Sequence, residues 1–426
     1  MSWLKKIDYR IPMCHQFVFP LMASVEQSFP QEKVEDITDA LRAEFTKVRM
    51  MDFNGKRIAI TAGSRGIPNI ARIIFALGEF LKSKGAEPFV IPAMGSHGNA
   101  SSLGQVEVLE NLGVTEKNVK MKIESSLDTV CLGHVRGKIP VYFDKYALEA
   151  DGIVVCNRIK PHTDFRADIE SGLCKMLAIG LGNHKGACAI HKEGMQNFPW
   201  LLPEIAELCI ARTPILFALG IVDNAYHNTA RITILKKNEI ISAEPKLLEI
   251  AKKNMAKIFF DDIDVLVVDE IGKDISGAGM DPNVIGRTVL NVKGFDFIKI
   301  NRIVVLGLSK ATKGHATGLS MADITTRKVA NAIDYGKVYT NSIAVASPEG
   351  AKLPMVLNNE RDAIMFAILC SKRTSPEETR LVRIKNTMEL KEIQVSESIL
   401  GEVKRNNKIK LISDLAPLTF SDEGDE

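Results

Sequence analysis

The chain has 426 residues, too many for one ordinary hydrophobic core, so two domains are expected. With 46% hydrophobic residues, 25% charged residues and a net charge of +3 spread over both signs, it reads as a globular protein without an electrostatic face for nucleic acid. Seven scattered cysteines with no CxxC speak against a disulfide framework or a thiolate zinc site, and for a reducing cytoplasm.

No long apolar stretch follows the first charged residues, so neither a signal peptide nor a membrane span is expected. The first clear element is RIAIT at 57–61, a β-branched run that predicts a strand. The turn GSRG follows, and Pro68 suits the first turn of a helix. Ile70, Ile73, Ile74, Leu77, Phe80 and Leu81 recur at helical spacing until Gly85. PFVIP at 88–92 is the next strand, and GSHGNASS leads into a helix over 103–112. This βαβα order predicts parallel strands.

DGIVVCN at 151–157 predicts a buried strand, followed by the loop RIKPHTDFRADIESG. Residues 203–210 read as helix, and PILFALGIVDN as a strand and turn. A second αβ pattern starts at DIDVLVVDEIGKDISGAG and continues through NRIVVLGLSKATKGHATG to a helix over 322–333. The boundary is placed near Phe260, giving domains 1–259 and 260–426. RLVRIKN and KIKLISD look like strands, and the acidic TFSDEGDE reads as a frayed tail.

Open α/β sheets bind ligands at the carboxyl ends of their strands, and three polar turns fall there: GSRG, GSHG and KPHTDFR. Arg65 suits a substrate carboxylate, held by two parallel hydrogen bonds, or is a solvated surface arginine. His97 reads as an acid/base group or as the cap of the next helix. His162 reads as a second acid/base group or as a loop histidine satisfied by Asp164. Lys175 stands in the apolar, glycine-rich run SGLCKMLAIGLGNHKGACAIH, where an unpartnered ammonium is expensive. It has three readings: snorkelling to solvent, pairing with a carboxylate such as Glu170, or serving as nucleophile or covalent anchor.

His184 and His191 compete as metal ligands, with GNHKG reading as an exposed turn. No HExxH or similar cluster accompanies them, so a metal would need most of its ligands from elsewhere. Lys310, Lys313, His315 and Asp323 are candidates for the far end of a substrate, against a plain helix-capping loop. The turn GAGMDPN at 277–283 is likewise a candidate to face the site.

GSRGIP, GSHG, KPHTDFRADIESGLCK and the Lys175-to-His191 spacing, in this order, resemble the nickel-dependent lactate racemase family, whose cofactor is a nickel-pincer nucleotide. The resemblance covers most of the chain. It implies an α/β fold of two domains: a catalytic and cofactor-binding N-terminal domain built on a parallel sheet, and a smaller α/β C-terminal domain. The active site then lies in the interdomain cleft. It implies that Lys175 bonds covalently to the cofactor, His191 ligates nickel, His97 and His162 are the catalytic acid/base pair, and Arg65 holds the substrate carboxylate. The implied activity is racemisation or epimerisation of a hydroxy acid by reversible hydride transfer, with cofactor-biosynthesis proteins as partners.

The sequence departs from the family at three points. Ser64 stands where lactate enzymes have an acidic residue, the loop between His162 and Lys175 is longer, and SKATKGHATGLSMADITT lacks their polar C-terminal pattern. These point to another 2-hydroxy acid, or a larger polyhydroxy acid or sugar. Two alternatives are carried: a nicotinamide oxidoreductase, although no GxGxxG with a following acidic residue is present, and a non-catalytic protein that binds a carboxylated metabolite.

Overall fold

In the computed structural model, residues 4–11, 17–64, 66–344, 347–371, 373 and 375–420 are described. Arg65, Cys14 and the last six residues of the acidic tail lie outside them. The strands are β1 (Met22–Gln27), β2 (Arg57–Ala62), β3 (Glu87–Pro92), β4 (Thr129–Val135), β5 (Ile139–Asp144), β6 (Gly152–Arg158) and β7 (Ile215–Asp223). They continue as β8 (Thr229–Lys236), β9 (Asp262–Val268), β10 (Lys299–Val305), β11 (Ile324–Thr326), β12 (Met355–Leu357), β13 (Leu381–Ile384), β14 (Glu392–Ser396) and β15 (Ile409–Leu411). Among the described residues no helix is long and apolar enough to cross a membrane.

The chain divides into two compact units, Pro30–Met255 and a second made of Met1–Phe29 with Ala256–Glu426. The first holds a five-stranded sheet in the order β3-β2-β6-β7-β8. Its first four strands are parallel and β8 is antiparallel. These strands are apolar on both faces, as a sheet covered on two sides requires. Ile58, Ile60, Val154 and Cys156 pack on one face with the helices Ile37–Phe45 and Ile70–Ser83. Ala59, Ile153 and Val155, offset by one residue, join the opposite core with the helices Phe198–Arg212 and Ile240–Asn254. The period of two thus divides one strand between two cores.

The helix predicted from the isoleucine spacing runs Ile70–Ser83 and buries Ile70, Ile73, Ile74, Leu77 and Leu81. Gly85, at φ +83, takes the left-handed conformation that ends it. The predicted 203–210 helix is longer, Phe198–Arg212, with Pro199 at its start where no amide donor is needed.

The second unit holds an eight-stranded sheet in the order β12-β11-β10-β9-β13-β14-β1-β15. The first five are parallel, and β14, β1 and β15 are antiparallel. This unit starts at Ala256 rather than Phe260 and takes in the first 29 residues, which the sequence reading placed with the N-terminal domain. The reason is β1: it fills the gap between β14 and β15, pairing Met22 with Ser396 and Gln27 with Ile409. The predicted 322–333 helix is shorter, Arg327–Ala332, because β11 occupies Ile324–Thr326.

Candidate active site

Three turns of the first unit leave the sheet at the carboxyl ends of parallel neighbours. β2 and β3 are in register from Arg57↔Glu87 to Ala62↔Pro92, so the segments that begin at Gly63 and at Ala93 emerge side by side. Ser64 Oγ meets His97 Nδ1 there. Arg65 lies outside the described residues. His97 is exposed. The helix after it, Ser102–Asn111, is capped by Ser101, whose Oγ accepts the Gly104 N–H at 3.1 Å. Capping therefore falls to Ser101, and His97 stays on the open turn.

The third turn follows β6 and is a closed excursion. Lys160 N–H donates to Ser171 O at 2.8 Å and Ser171 N–H donates back to Lys160 O at 3.2 Å. Inside the loop, fully buried Glu170 accepts the His162 N–H at 2.7 Å. Arg166 Nη1 at 3.7 Å and Lys252 Nζ at 3.3 Å compensate the Glu170 charge. His162 is buried, with its ring 4.4 Å from that of Phe165. Asp164 N–H donates to His162 Nδ1 at 3.0 Å, which leaves Nε2 to face Lys175 Nζ at 2.6 Å. Asp164 thus holds one ring nitrogen of His162, and the lysine engages the other.

Lys175 closes the helical turn Leu173–Lys175, which runs into a π-helical segment, Met176–Gly180, and then into the helix Asn183–His191. π-Helical turns are rare and concentrate at functional sites. Gly95 N–H donates to Gly180 O at 3.2 Å, tying the histidine turn of β3 to this segment. The far helix brings His191 back toward Lys175. Burial first, and Lys175 second, push the His191 pKa down to about 4. Its ring lies 5.4 Å from Phe198, which lies 5.5 Å from Phe165, so two phenylalanines bridge His191 and His162. GNHKG is the start of this helix rather than a free turn, and His184 points outward with Cys188 Sγ 3.7 Å from its Nε2.

One side chain of this neighbourhood escaped the sequence reading. Glu244, on the helix Ile240–Asn254, is fully buried, and its Oε2 accepts the Cys174 N–H at 2.8 Å. Burial pushes its pKa up to about 7, against the lowering effect of the bonds at Cys174. The signal was present: Ile240, Leu247, Leu248 and Ala251 form a buried stripe, and a glutamate stands within it.

In the second unit the candidate residues are largely taken by structure. Ser309 caps Lys310–Thr312, accepting the Thr312 N–H at 3.2 Å. Asp323 pairs with Arg287 at 2.7 Å and accepts the Ile303 N–H at 2.7 Å. Asp281 of GAGMDPN caps a short helix, Pro282–Ile285. His315 sits 3.0 Å from Thr317 Oγ1, and burial, then Lys273 and Lys337, push its pKa down to about 4.

The first unit therefore gathers a lysine amine, a buried imidazole on it, and a second imidazole that stays neutral at physiological pH. A neutral imidazole can ligate a metal, and the lysine can bond an acyl carbon.

No protein-family model matches the chain, and no curated protein sequence matches it. Among solved structures, a protein from Thermotoga maritima superposes at a TM-score of 0.48, with 15% identity over 63% of this chain and 70% of that one. The lactate racemase apoprotein from Thermoanaerobacterium thermosaccharolyticum superposes at a TM-score of 0.50, with 13% identity over 95% of this chain and 94% of that one. Nearly the whole of both chains is matched, and this protein has a lactate racemase-like fold.

Proposed function

We propose that this chain is a member of the nickel-dependent lactate racemase family, an isomerase. It inverts a hydroxyl-bearing carbon of a 2-hydroxy acid, or of a related polyhydroxy acid or sugar. Its cofactor is a nickel-pincer nucleotide attached at Lys175. The proteins that make that cofactor are its loading partners, and the cytoplasm is its compartment. The observation that carries the reading is the 2.6 Å contact of Lys175 Nζ with His162 Nε2, beside a His191 imidazole kept neutral next to the same lysine. The lactate racemase-like fold supports it.

The residues suit the group. Among the described residues no three His, Cys, Asp or Glu side chains gather as a metal site, so His191 offers a single protein donor. That donor would suffice for a nickel whose remaining ligands come from the cofactor. When bound, the cofactor supplies a hydride acceptor.

The chain's own groups supply binding and proton transfer. His162 holds or releases a proton at Nε2, its Nδ1 being engaged by the Asp164 N–H. His97 presents Nε2, its Nδ1 being engaged by Ser64. Two imidazoles let the substrate hydroxyl lose its proton on one side and regain it on the other. Arg65 holds the substrate carboxylate. Buried Phe165 and Phe198 pack edge to face between His162 and His191.

The test is chiral chromatography of single-enantiomer 2-hydroxy acids and polyhydroxy acids incubated with protein co-expressed with the cofactor-making enzymes. The expected result is inversion of at least one substrate, lost in Lys175→Ala and His191→Ala. Inversion that survives Lys175→Ala would overturn the proposal.

A further inference from the structure

We propose that Glu244 is a positioning residue that fixes the Gly172–Lys175 turn and thereby holds the Lys175 amine in place. The inference rests on the reading of Lys175 as the attachment point, and it adds a side chain that does not touch the cofactor.

The argument starts from how expensive Glu244 is. A fully buried carboxyl with one oxygen lacking a hydrogen-bond partner is among the costlier things a helix can carry into a core. What it does there is local: Oε2 accepts the Cys174 N–H at 2.8 Å, one residue before Lys175. That amide lies in the first turn of a helical segment, where N–H groups have no intrahelical partner. Gly172 records how close the carboxyl comes, since a Cβ on it would lie 2.0 Å from Glu244 Oε1.

The other side of the turn is held as well. Asn157 Nδ2 donates to Gly172 O at 2.8 Å, and the Met176 N–H donates to the same oxygen at 3.0 Å. The lysine turn is thus fixed from β6 through Asn157 and from the helix Ile240–Asn254 through Glu244. The same helix supplies Lys252 to Glu170, which holds the His162 backbone. One helix therefore steadies both partners of the His162–Lys175 contact.

The experiment uses full-length protein expressed without the cofactor-making enzymes. A pulse of acetic anhydride is followed by peptide mass spectrometry, with exposed Lys192 as the internal reference. Glu244→Met removes the acceptor and keeps the bulk, and Lys175 should then be acetylated about fivefold faster relative to Lys192, the factor expected for losing one such hydrogen bond. Glu244→Gln keeps an acceptor oxygen and should stay within about twofold of the parent protein.

A folded Glu244→Met protein that labels at the parent rate would overturn the proposal, as would a Glu244→Gln protein that labels like Glu244→Met. Should Glu244→Met fail to fold, amide exchange in the unaltered protein decides. The Cys174 amide must be protected, and exchange at the rate of an exposed loop would overturn the proposal. Because no cofactor enters the measurement, it stands apart from the functional reading. An unmodified Lys175 in active enzyme would end that reading and leave this result intact.

Discussion

Glu244 and His191 titrate in opposite senses, and the fold's stability should record both. The Glu244 pKa is raised from 4.5 to about 7, so the folded state binds the proton more tightly than the unfolded chain. Its contribution is therefore full below pH 4.5 and is lost as pH rises through 7. The His191 pKa is lowered from 6.5 to about 4, so its contribution is present above pH 6.5 and is lost as pH falls toward 4. Glu244→Gln should flatten the decline between pH 4.5 and 7, an effect of roughly 3 kcal/mol for a shift of this size. Urea titrations of both proteins across that range check it, and parallel curves would contradict it. Ser64→Ala should remove the contact at His97 Nδ1 and shift the His97 ring nitrogen resonances, read by NMR, while leaving overall stability within about 1 kcal/mol.

At this scale the sequence was legible where chemistry clashed with its surroundings. Lys175 stood out because an ammonium in an apolar run needs a reason. Glu244 clashed with its apolar stripe in the same way, but its partner was hidden because it lies 70 residues away, at Cys174. No spacing rule links the two, and only the folded sheet brings them together.

The element that decides the geometry is the run from Leu173 to His191. Its π-helical middle shifts the register between the lysine turn and the helix that ends at His191. Gly180 makes the close passage possible, since a Cβ there would lie 2.6 Å from Met176 Sδ and 2.7 Å from Ala93 O. Gly180→Ala should therefore lower stability by about 1–3 kcal/mol, as overpacking does, and a thermal melt reads this as a lower Tm. An unchanged Tm would mean that the segment relaxes freely.

Strands and long helices of this region were legible from period and punctuation: RIAIT, PFVIP and DGIVVCN all became strands. The π-helical turn was not, because an apolar run with scattered glycines carries no period that separates it from an α-helix. GNHKG misled for a related reason. Its glycines suggest a turn, yet buried Asn183 and Gly186 pack it as the first turn of a helix.

For the whole molecule, the division of the chain predicts which fragments fold. Residues 30–255 contain a complete sheet with a core on each face and should fold cooperatively when expressed alone. Residues 256–426 lack β1, so β14 and β15 lose the strand between them. That fragment should fold only when a peptide spanning residues 1–29 is restored, as circular dichroism with and without the peptide would show. The sequence hid this arrangement because MASVEQ is a short strand with no partner nearby in the chain, and pairing across some 370 residues leaves no local trace.

The central claim is that Lys175 carries the cofactor, and peptide mass mapping of catalytically active protein tests it most directly. The account predicts a nucleotide-sized adduct on the Lys175 peptide, with nickel bound in proportion to activity. Active protein whose Lys175 peptide has its unmodified mass would contradict it.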